Sequence, residues 1–190
     1  MTNQPAKDEF MQAAIDEARL GRSQGGIPIG SVLIRDGKIV GQGHNKRVQE
    51  DSAIKHGEMD CLTNAGRQRT YRDTVIYTTL MPCYMCAGTI VQFNIPKVIV
   101  GESRTFGESR AFLESHDVEG FDLDLQECVD RMDEFIAAEP TLWNEDIMEL
   151  LAAGNQTRHC RDFTEKPAKT ALFLGPATSA GLAFALLIVR

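Results

Sequence analysis

The sequence lacks a strong cluster of basic residues. Across its 190 residues, 20 Lys and Arg stand against 27 Asp and Glu, so the formal net charge is -7 and the isoelectric point is near 5.1. Proteins that hold a nucleic-acid backbone neutralise its phosphates with clustered Lys and Arg. The composition therefore argues against nucleic acid as a partner.

The N-terminus also lacks the layout of a secretory signal peptide, a charged segment followed by an apolar one. It begins MTNQPAKDEF, and the chain has five Cys, an odd number that does not suggest a paired disulfide framework. Both features predict a reducing, cytoplasmic location. In that compartment two closely spaced Cys indicate metal binding or redox chemistry before a disulfide.

A chain of this length has no need of a disulfide or a structural metal to hold its core, since a single domain of its size buries roughly 70% of its unfolded surface. A metal site in this sequence is therefore expected to serve chemistry. No internal repeat is found.

The order of elements predicts an α/β protein. Apolar residues at helical spacing predict a first helix over residues 7–22, and two β-branched runs joined by Asp36-Gly37 predict a hairpin over 31–43. The alternation of strands and helices that follows is typical of a mostly parallel sheet covered on both faces. The remaining predicted segments are a helix over 51–64, a strand over 75–80, a helix beginning near Pro82, a strand over 97–101, helices over 108–115 and 126–138 with a weak strand over 120–125 between them, and a last helix that Pro140 starts, around 143–151.

The composition changes after about Gly154. Residues 1–155 carry a net charge of -10, whereas residues 156–190 carry +3. We therefore predict a domain over 1–154 and an atypical C-terminal extension over 155–190, first basic and then apolar. Its uncharged stretch 170–189 could just span a bilayer, although its Gly, Pro, Thr and Ser weaken that interpretation. The alternatives are a poorly ordered extension, a segment packed on a partner subunit, or a terminus not native to the domain.

The strongest chemical signal is H-G-E at residues 56–58 followed by P-C-Y-M-C at residues 82–86. Cys83 and Cys86 are three residues apart at the start of a predicted helix, so both sulfurs can face one side. The positive end of that helix favours their thiolate forms. With His56 they offer two sulfurs and one nitrogen, a set that suits tetrahedral Zn²⁺.

Three protein ligands leave a fourth position open for water, which is typical of a catalytic rather than a structural zinc site. Glu58 lies two residues after His56, where its carboxylate can reach that position without binding the metal. It can take a proton from the water and deliver it later. The pattern thus predicts a hydrolytic zinc enzyme with a proton shuttle.

The combination H-x-E and P-C-x-x-C is the signature of zinc-dependent deaminases. On these residues the chain resembles the cytidine-deaminase-like superfamily and, within it, the fungal type of cytosine deaminase. The resemblance spans about residues 8–150 and implies a three-layer α-β-α sandwich around a five-stranded mixed sheet. The segments that carry it are GGIPIGSVLI (25–34), GHNKR (43–47), HGEMDCL (56–62), YTTLMPCYMC (77–86), IPKVIVGE (95–102) and WNEDI (143–147).

The resemblance also implies the role of each matched residue. His56, Cys83 and Cys86 would hold one zinc ion per subunit, and Glu58 would shuttle protons. The implied substrate contacts are Asn45 and the backbone amide of Gly57 at a ring carbonyl, Asp146 at a ring or exocyclic N–H, and Trp143 with Phe106 as an aromatic lid. Met81 departs from the family pattern, because relatives often carry Ser or Glu before Pro-Cys.

The expected reaction is hydrolytic deamination of a free nucleobase, cytosine to uracil with release of ammonia. The alternatives are guanine, isocytosine or transfer-RNA adenosine as substrate, the last disfavoured by the acidic composition, and a non-catalytic zinc-binding module. The resemblance implies a homodimer, and a membrane association would depend on residues 170–189 alone.

The other Cys and His have simpler interpretations. Cys61 would lie about 140° around its helix from His56, so we predict a small buried side chain rather than a fourth ligand. Cys128 and Cys160 are also expected to be inert. For His44 we favour a structural hydrogen bond over a role in the site, and we expect His116 and His159 to be solvated.

Overall fold

The computed structural model describes residues 7–148. The predicted domain boundary at 154 and the extension over 155–190 lie outside the described residues, as do Cys160 and His159. Within residues 7–148, no helix is long and apolar enough to cross a membrane. The elements are α1 (Glu9–Ser23), β1 (Gly30–Arg35), β2 (Lys38–His44), α2 (Gly57–Ala65), β3 (Thr74–Leu80), α3 (Tyr84–Gln92), β4 (Lys97–Glu102), α4 (Arg110–Ser115), β5 (Glu119–Asp122), α5 (Gln126–Ala138) and α6 (Pro140–Asp146).

The five strands form one mixed sheet in the order β2-β1-β3-β4-β5. β1 is antiparallel to both β2 and β3, whereas β3, β4 and β5 run parallel. The mixed sheet is confirmed, and its pairings divide evenly, two parallel and two antiparallel, where a mostly parallel sheet was expected. The opening hairpin is the reason, because it inserts β1 beside β3 in the opposite direction.

The predicted turn of the hairpin is confirmed. Asp36 has φ 50° and Gly37 has φ 68°, so both central residues are left-handed. This is the conformation that a two-residue type I′ turn requires, and its twist matches that of the flanking strands.

Side chains alternate between two apolar layers, one on each face of the sheet. Leu33, Ile76 and Val98 pack with residues of α2, α3 and α4. Val32, Ile34 and Ile99 pack on the opposite face with α1 and Cys128 of α5. A three-layer α-β-α sandwich results, with a third cluster of Ile27, Ile29, Leu80, Met132, Phe135 and Trp143 that brings α5 and α6 together.

Helix α2 begins at Gly57, so the predicted start near residue 51 is wrong. Asp51 has φ 48°, which is incompatible with a continuing helix. The segment is held instead by two ion pairs to the buried carboxylate of Asp60. Its partners are Lys46, with Nζ at 3.1 Å, and Lys55, with Nζ at 3.6 Å.

Two further helix boundaries also differ from prediction. α3 begins at Tyr84 with Cys83 as its N-cap, so Pro82 precedes the helix rather than lying in its first turn. α6 begins at Pro140, as predicted, but ends at Asp146, earlier than the predicted end near residue 151.

Glycine at position 43 lets α2 lie close against β2. A Cβ atom there would fall 2.5 Å from Asp60 Oδ2 and 2.6 Å from the backbone nitrogen of Cys61. Real Cβ atoms essentially never come this close to other atoms, so a side chain at position 43 would force α2 away from the sheet. The close approach sets the distance between α2 and the sheet, and therefore the position of the first turn of α2.

We predict that Gly43→Ala lowers the free energy of unfolding by about 1–3 kcal/mol, the range typical of an overpacked core. Urea denaturation measures the change. Gly88→Ala is the matched control: Gly88 lies in α3 with open space where its Cβ would be, so it should be neutral or stabilise the protein by up to about 1 kcal/mol. An equal loss in both variants would contradict the close-packing argument.

Candidate active site

Two helix N-termini supply the central side chains of the candidate site. His56 is the N-cap of α2 and Cys83 is the N-cap of α3, with nearly the same extended backbone (φ -70°, ψ 168° and φ -70°, ψ 171°). N-cap residues usually accept hydrogen bonds from the first amides of their helix. Neither side chain does so here, and both are therefore available to a ligand.

His56, Cys83 and Cys86 form a compact donor group. Their ligand atoms all lie within 4.8 Å of one another, and His56 Nδ1 lies 3.5 Å from Cys83 Sγ. Tetrahedral zinc, with bonds of about 2.0–2.3 Å, separates two ligand atoms by roughly 3.5–3.8 Å. Within residues 7–148 no further His, Cys or carboxylate joins the group. The set fits zinc with one coordination position left open.

The two thiols are electrostatically unequal. The hydrogen bond with Cys86 is the main cause that lowers the pKa of Cys83 to about 4, against the opposing effect of burial. The same interaction and burial raise the pKa of Cys86. Without a metal the pair therefore holds one thiolate and one thiol, and a bound cation would favour the loss of the second proton.

Burial and nearby negative charge act on the pKa of His56 in opposite directions. Burial lowers the pKa of His56, but the hydrogen bond to Cys83 and the charges of Asp146 and Cys83 raise the pKa overall. Together, the negative groups around His56 outweigh the effect of burial on its pKa.

Glu58 lies in the first turn of α2 and is only 3% exposed. Burial, followed by the negative charge of Cys83, raises the pKa of its carboxyl group. The hydroxyl of Thr78 donates a hydrogen bond of 3.2 Å to Glu58 Oε1. A buried carboxyl with a raised pKa can both hold and release a proton, which is what a proton shuttle needs.

Asn45 follows the end of β2 and is fully buried. Its Oδ1 accepts a hydrogen bond of 3.1 Å from the backbone nitrogen of Arg47, but its Nδ2 has no hydrogen-bond partner among the described residues. Buried donors are rarely left unpaired in folded proteins, and the exceptions call for an explanation. This donor fits a carbonyl acceptor supplied by a ligand.

Asp146 ends α6 and reaches the metal-ligand group. Its side chain is 5% exposed, and its Oδ1 lies 2.6 Å from Arg47 Nη1 and 3.6 Å from His56 Nε2. The structure therefore brings together residues that are ninety positions apart in the sequence. The role of Asp146 as a substrate contact stays a prediction.

Gly57 and the two predicted lid aromatics occupy distinct places. A Cβ at Gly57 would lie 3.0 Å from the carbonyl oxygen of Ile29, so this glycine lets the first turn of α2 approach that strand end. Trp143 is 6% exposed and belongs to the third apolar cluster, against which Phe106 also packs. Their action as a lid stays a prediction.

Sequence reasoning missed Thr78 and Arg47. Arg47 lies within the quoted GHNKR segment, which was the available signal, whereas nothing in the YTTL segment singles out Thr78. Met81, the residue that departs from the family pattern, is buried in the cluster that contains Leu33 and Ile76.

The other His and Cys within residues 7–148 agree with their predicted roles. His44 is hydrogen-bonded to Glu17 at 2.8 Å and to Gln24 at 3.0 Å, although it lies at the end of β2 rather than in a loop. Cys61 and Cys128 are buried free thiols outside the donor group. His116 is exposed, as expected.

The fold and the donor set together define a class: an α-β-α sandwich with a His-Cys-Cys zinc site and an adjacent buried glutamate. Comparison with known proteins agrees. Residues 5–102 match the family model for the cytidine and deoxycytidylate deaminase zinc-binding region. The chain belongs to this family of zinc-dependent deaminases, which are hydrolases of C–N bonds.

Two relatives illustrate the range of the family. The cytosine deaminase of Candida albicans is 49% identical over 142 residues, which cover 73% of this chain and 95% of the relative. A tRNA-specific adenosine deaminase of Streptococcus pyogenes is 42% identical over 97 residues, 50% of this chain and 61% of the relative. An alignment of 142 residues necessarily extends past residue 102, where the family region ends.

Solved structures show the same fold. The guanine deaminase from Nitrosomonas europaea aligns with a TM-score of 0.60 at 16% identity and covers 70% of this chain and 87% of that chain. A tRNA:A34 deaminase that edits the wobble position of transfer RNA aligns with a TM-score of 0.50 at 24% identity, over 60% of this chain and 95% of that one.

We predict that, in zinc-free protein at pH 7, iodoacetamide modifies Cys83 before the other described thiols. The lowered pKa of Cys83 keeps it a thiolate, so its labelling rate should fall only as the pH approaches about 4. Burial raises the pKa of Cys128 to about 12 and also raises that of Cys61, which makes both internal controls. Peptide mass spectrometry measures the rates, and added zinc should protect Cys83. A Cys83 rate that rises only above pH 8 would contradict the assignment.

Proposed function

We propose that this protein hydrolyses free cytosine to uracil and ammonia. The observation that carries the proposal is the unpaired, buried Nδ2 of Asn45, with the carboxylate of Asp146 beside the metal-ligand group. The 49% identity to a cytosine deaminase over 95% of that relative supports the same substrate.

Cytosine presents a carbonyl oxygen, an unprotonated ring nitrogen, a ring N–H and an exocyclic amine. Asn45 Nδ2 would donate to the carbonyl oxygen, together with the backbone amide of Gly57, which as the first residue of α2 has no intrahelical acceptor. Asp146 would accept from a ring or exocyclic N–H. Trp143 and Phe106 would cover the planar face of the ring.

His56, Cys83 and Cys86 would hold the zinc ion. Zinc bound there supplies a Lewis acid that makes water a nucleophile near neutral pH. This chain supplies those three ligands and keeps bulk water from the site, whose residues Asn45 and Glu58 are almost fully buried.

Glu58 would carry the protons of the reaction. Its carboxylate takes a proton from the attacking water and passes it to the ring nitrogen next to the amine-bearing carbon. It then transfers the second proton of that water to the departing amine, so that water and cytosine give uracil and ammonia. The Thr78 hydroxyl, which donates to Oε1, would hold the carboxylate in place during these transfers.

The rival substrates divide by size and charge. Guanine and isocytosine are neutral free bases, whereas transfer RNA is a polyanion that favours basic surfaces. Residues 1–155 carry a net charge of -10, which disfavours RNA. A non-catalytic zinc-binding module is the rival of a different kind, and the buried Glu58 disfavours it because such a module needs no carboxylate there.

We predict that the zinc-loaded protein releases ammonia from cytosine and not from cytidine. The contacts proposed for Asn45, Gly57 and Asp146 all fall on the base, and none is assigned to a ribose. The measurement is ammonia release from equal concentrations of cytosine, cytidine, guanine, adenine and isocytosine. Ammonia release from another compound of the panel, and not from cytosine, would overturn cytosine as the substrate but keep the mechanism. No ammonia release from any of them, with zinc bound, would favour the non-catalytic zinc-binding module.

We predict that Glu58→Gln lowers kcat by about 10²–10⁴-fold, the usual contribution of a positioned acid–base group. Gln is nearly isosteric and keeps a hydrogen-bond acceptor for Thr78, so zinc content, measured by atomic absorption, should be unchanged. Glu127→Gln is the control, because Glu127 lies on the surface of α5. Full activity in Glu58→Gln would remove the shuttle role.

We also propose a homodimer in the cytoplasm. Ile54 is 59% exposed and lines a shallow cleft of about 200 Å³ with Met59 and Thr63 on the outer side of α2, and an exposed apolar surface of this kind suits a subunit contact. The free thiols Cys61 and Cys128 fit a reducing compartment. Light scattering during gel filtration tests the dimer.

A further inference from the structure

Arg47 contacts both polar groups that we propose to recognise the base. Its backbone nitrogen donates a hydrogen bond of 3.1 Å to Asn45 Oδ1. Its guanidinium Nη1 donates a hydrogen bond of 2.6 Å to Asp146 Oδ1. One residue thus touches the two groups that would hold opposite parts of the ring.

The contact to Asn45 determines which way its amide points. Because Oδ1 is engaged by the Arg47 backbone, the amide presents Nδ2, the unpaired donor, to the site. A carbonyl oxygen needs a donor, so the opposite orientation of the amide would place two acceptors together. The backbone position of Arg47 therefore selects the hydrogen-bonding character of Asn45.

The contact to Asp146 acts through the side chain and spans the fold. The Arg47 side chain is 10% exposed, and its second nitrogen, Nη2, lies 3.3 Å from Glu145 Oε1. The guanidinium thereby holds two consecutive carboxylates at the end of α6. Both described contacts of Asp146 fall on Oδ1, from Arg47 and from His56, so Oδ2 remains available as an acceptor.

The geometry requires an arginine rather than any cation. A guanidinium is planar and reaches two carboxylates at once from a fixed fork, whereas an ammonium is a single flexible point charge. Since Asp146 is nearly buried, loss of this partner would leave a carboxylate beside His56 without its strongest described hydrogen bond. Asp146 would then turn away or draw α6 out of place.

We infer that Arg47 is a positioning residue for substrate recognition: it aligns the carboxylate of Asp146 with the amide of Asn45 and seats the end of α6 over the site. This inference rests on the proposed function for its kinetic consequence only. Its structural consequence, the seating of α6, holds for any base that the site accepts.

The kinetic test compares Arg47→Ala with Arg47→Lys. Arg47→Ala should raise KM for cytosine about tenfold or more, as expected for loss of a charge-assisted hydrogen bond, with a smaller change in kcat and normal zinc content. Arg47→Lys should recover part of the KM change. Arg19→Ala, which removes an arginine on the exposed surface of α1, is the matched control and should behave as wild type.

Trp143 provides a readout that needs no substrate. It is the only tryptophan of the chain and is buried within α6. If Arg47 seats α6, Arg47→Ala should shift the fluorescence emission of Trp143 to longer wavelength and make it more accessible to acrylamide. The emission and acrylamide quenching of Arg47→Lys should lie between those of wild type and Arg47→Ala, and those of Arg19→Ala should match wild type.

The outcomes separate the two proposals. Unchanged KM in Arg47→Ala, with kcat lowered only in proportion to folded protein, would overturn the positioning role, as would unchanged Trp143 fluorescence. If the wild-type protein does not turn over cytosine, the proposed substrate fails, and KM is then measured with whichever base of the panel releases ammonia. With no active base, the fluorescence of Arg47→Ala alone decides whether Arg47 seats α6.

Discussion

The site depends on holding the N-termini of two helices within a few ångströms of each other. α2 and α3 present His56 and Cys83 at equivalent N-cap positions, with ligand atoms 3.5 Å apart. Each helix end carries a partial positive charge, so the arrangement is unfavourable unless negative charge lies between them. The thiolate of Cys83 supplies such a charge, since its hydrogen bond with Cys86 and the neighbouring His56 lower its pKa, and a site that stabilises a thiolate is also one that binds a soft cation.

The rest of the fold keeps those two helix ends in place. Gly43 allows the backbone of α2 to lie against β2, and the carboxylate of Asp60 ties α2 to the preceding loop through Lys46 and Lys55. Two buried polar atoms of the site remain unpaired in this arrangement within residues 7–148. The Nδ2 of Asn45 and the Oγ of Ser31 are both buried without a hydrogen-bond partner among the described residues. Unsatisfied donors lower stability, and proteins tolerate them mainly where a ligand will satisfy them.

Local sequence patterns predicted the parts of the site that local geometry decides. The H-x-E and P-C-x-x-C motifs place their side chains by helix position alone, and the Asp-Gly turn needed only its own two residues. The start of α2 was mispredicted because Asp60, Lys46 and Lys55 meet only in the folded chain. Arg47 was overlooked for the same reason, since its partner Asp146 lies 99 residues away. The direction of β1 likewise follows from its pairing with β3, which no local pattern reports.

The charge of the protein bears on the size of its substrate. A neutral base experiences little long-range force from a surface with excess negative charge, because steering acts on charged ligands. A polyanion would be repelled by the same surface, and more strongly at low ionic strength. Recognition of a small neutral ring must therefore come from short-range contacts inside the site, where low dielectric strengthens each hydrogen bond. We propose that the buried amide of Asn45 and the carboxylate of Asp146, held by Arg47, make contacts of that kind, so their alignment would matter more than the overall charge.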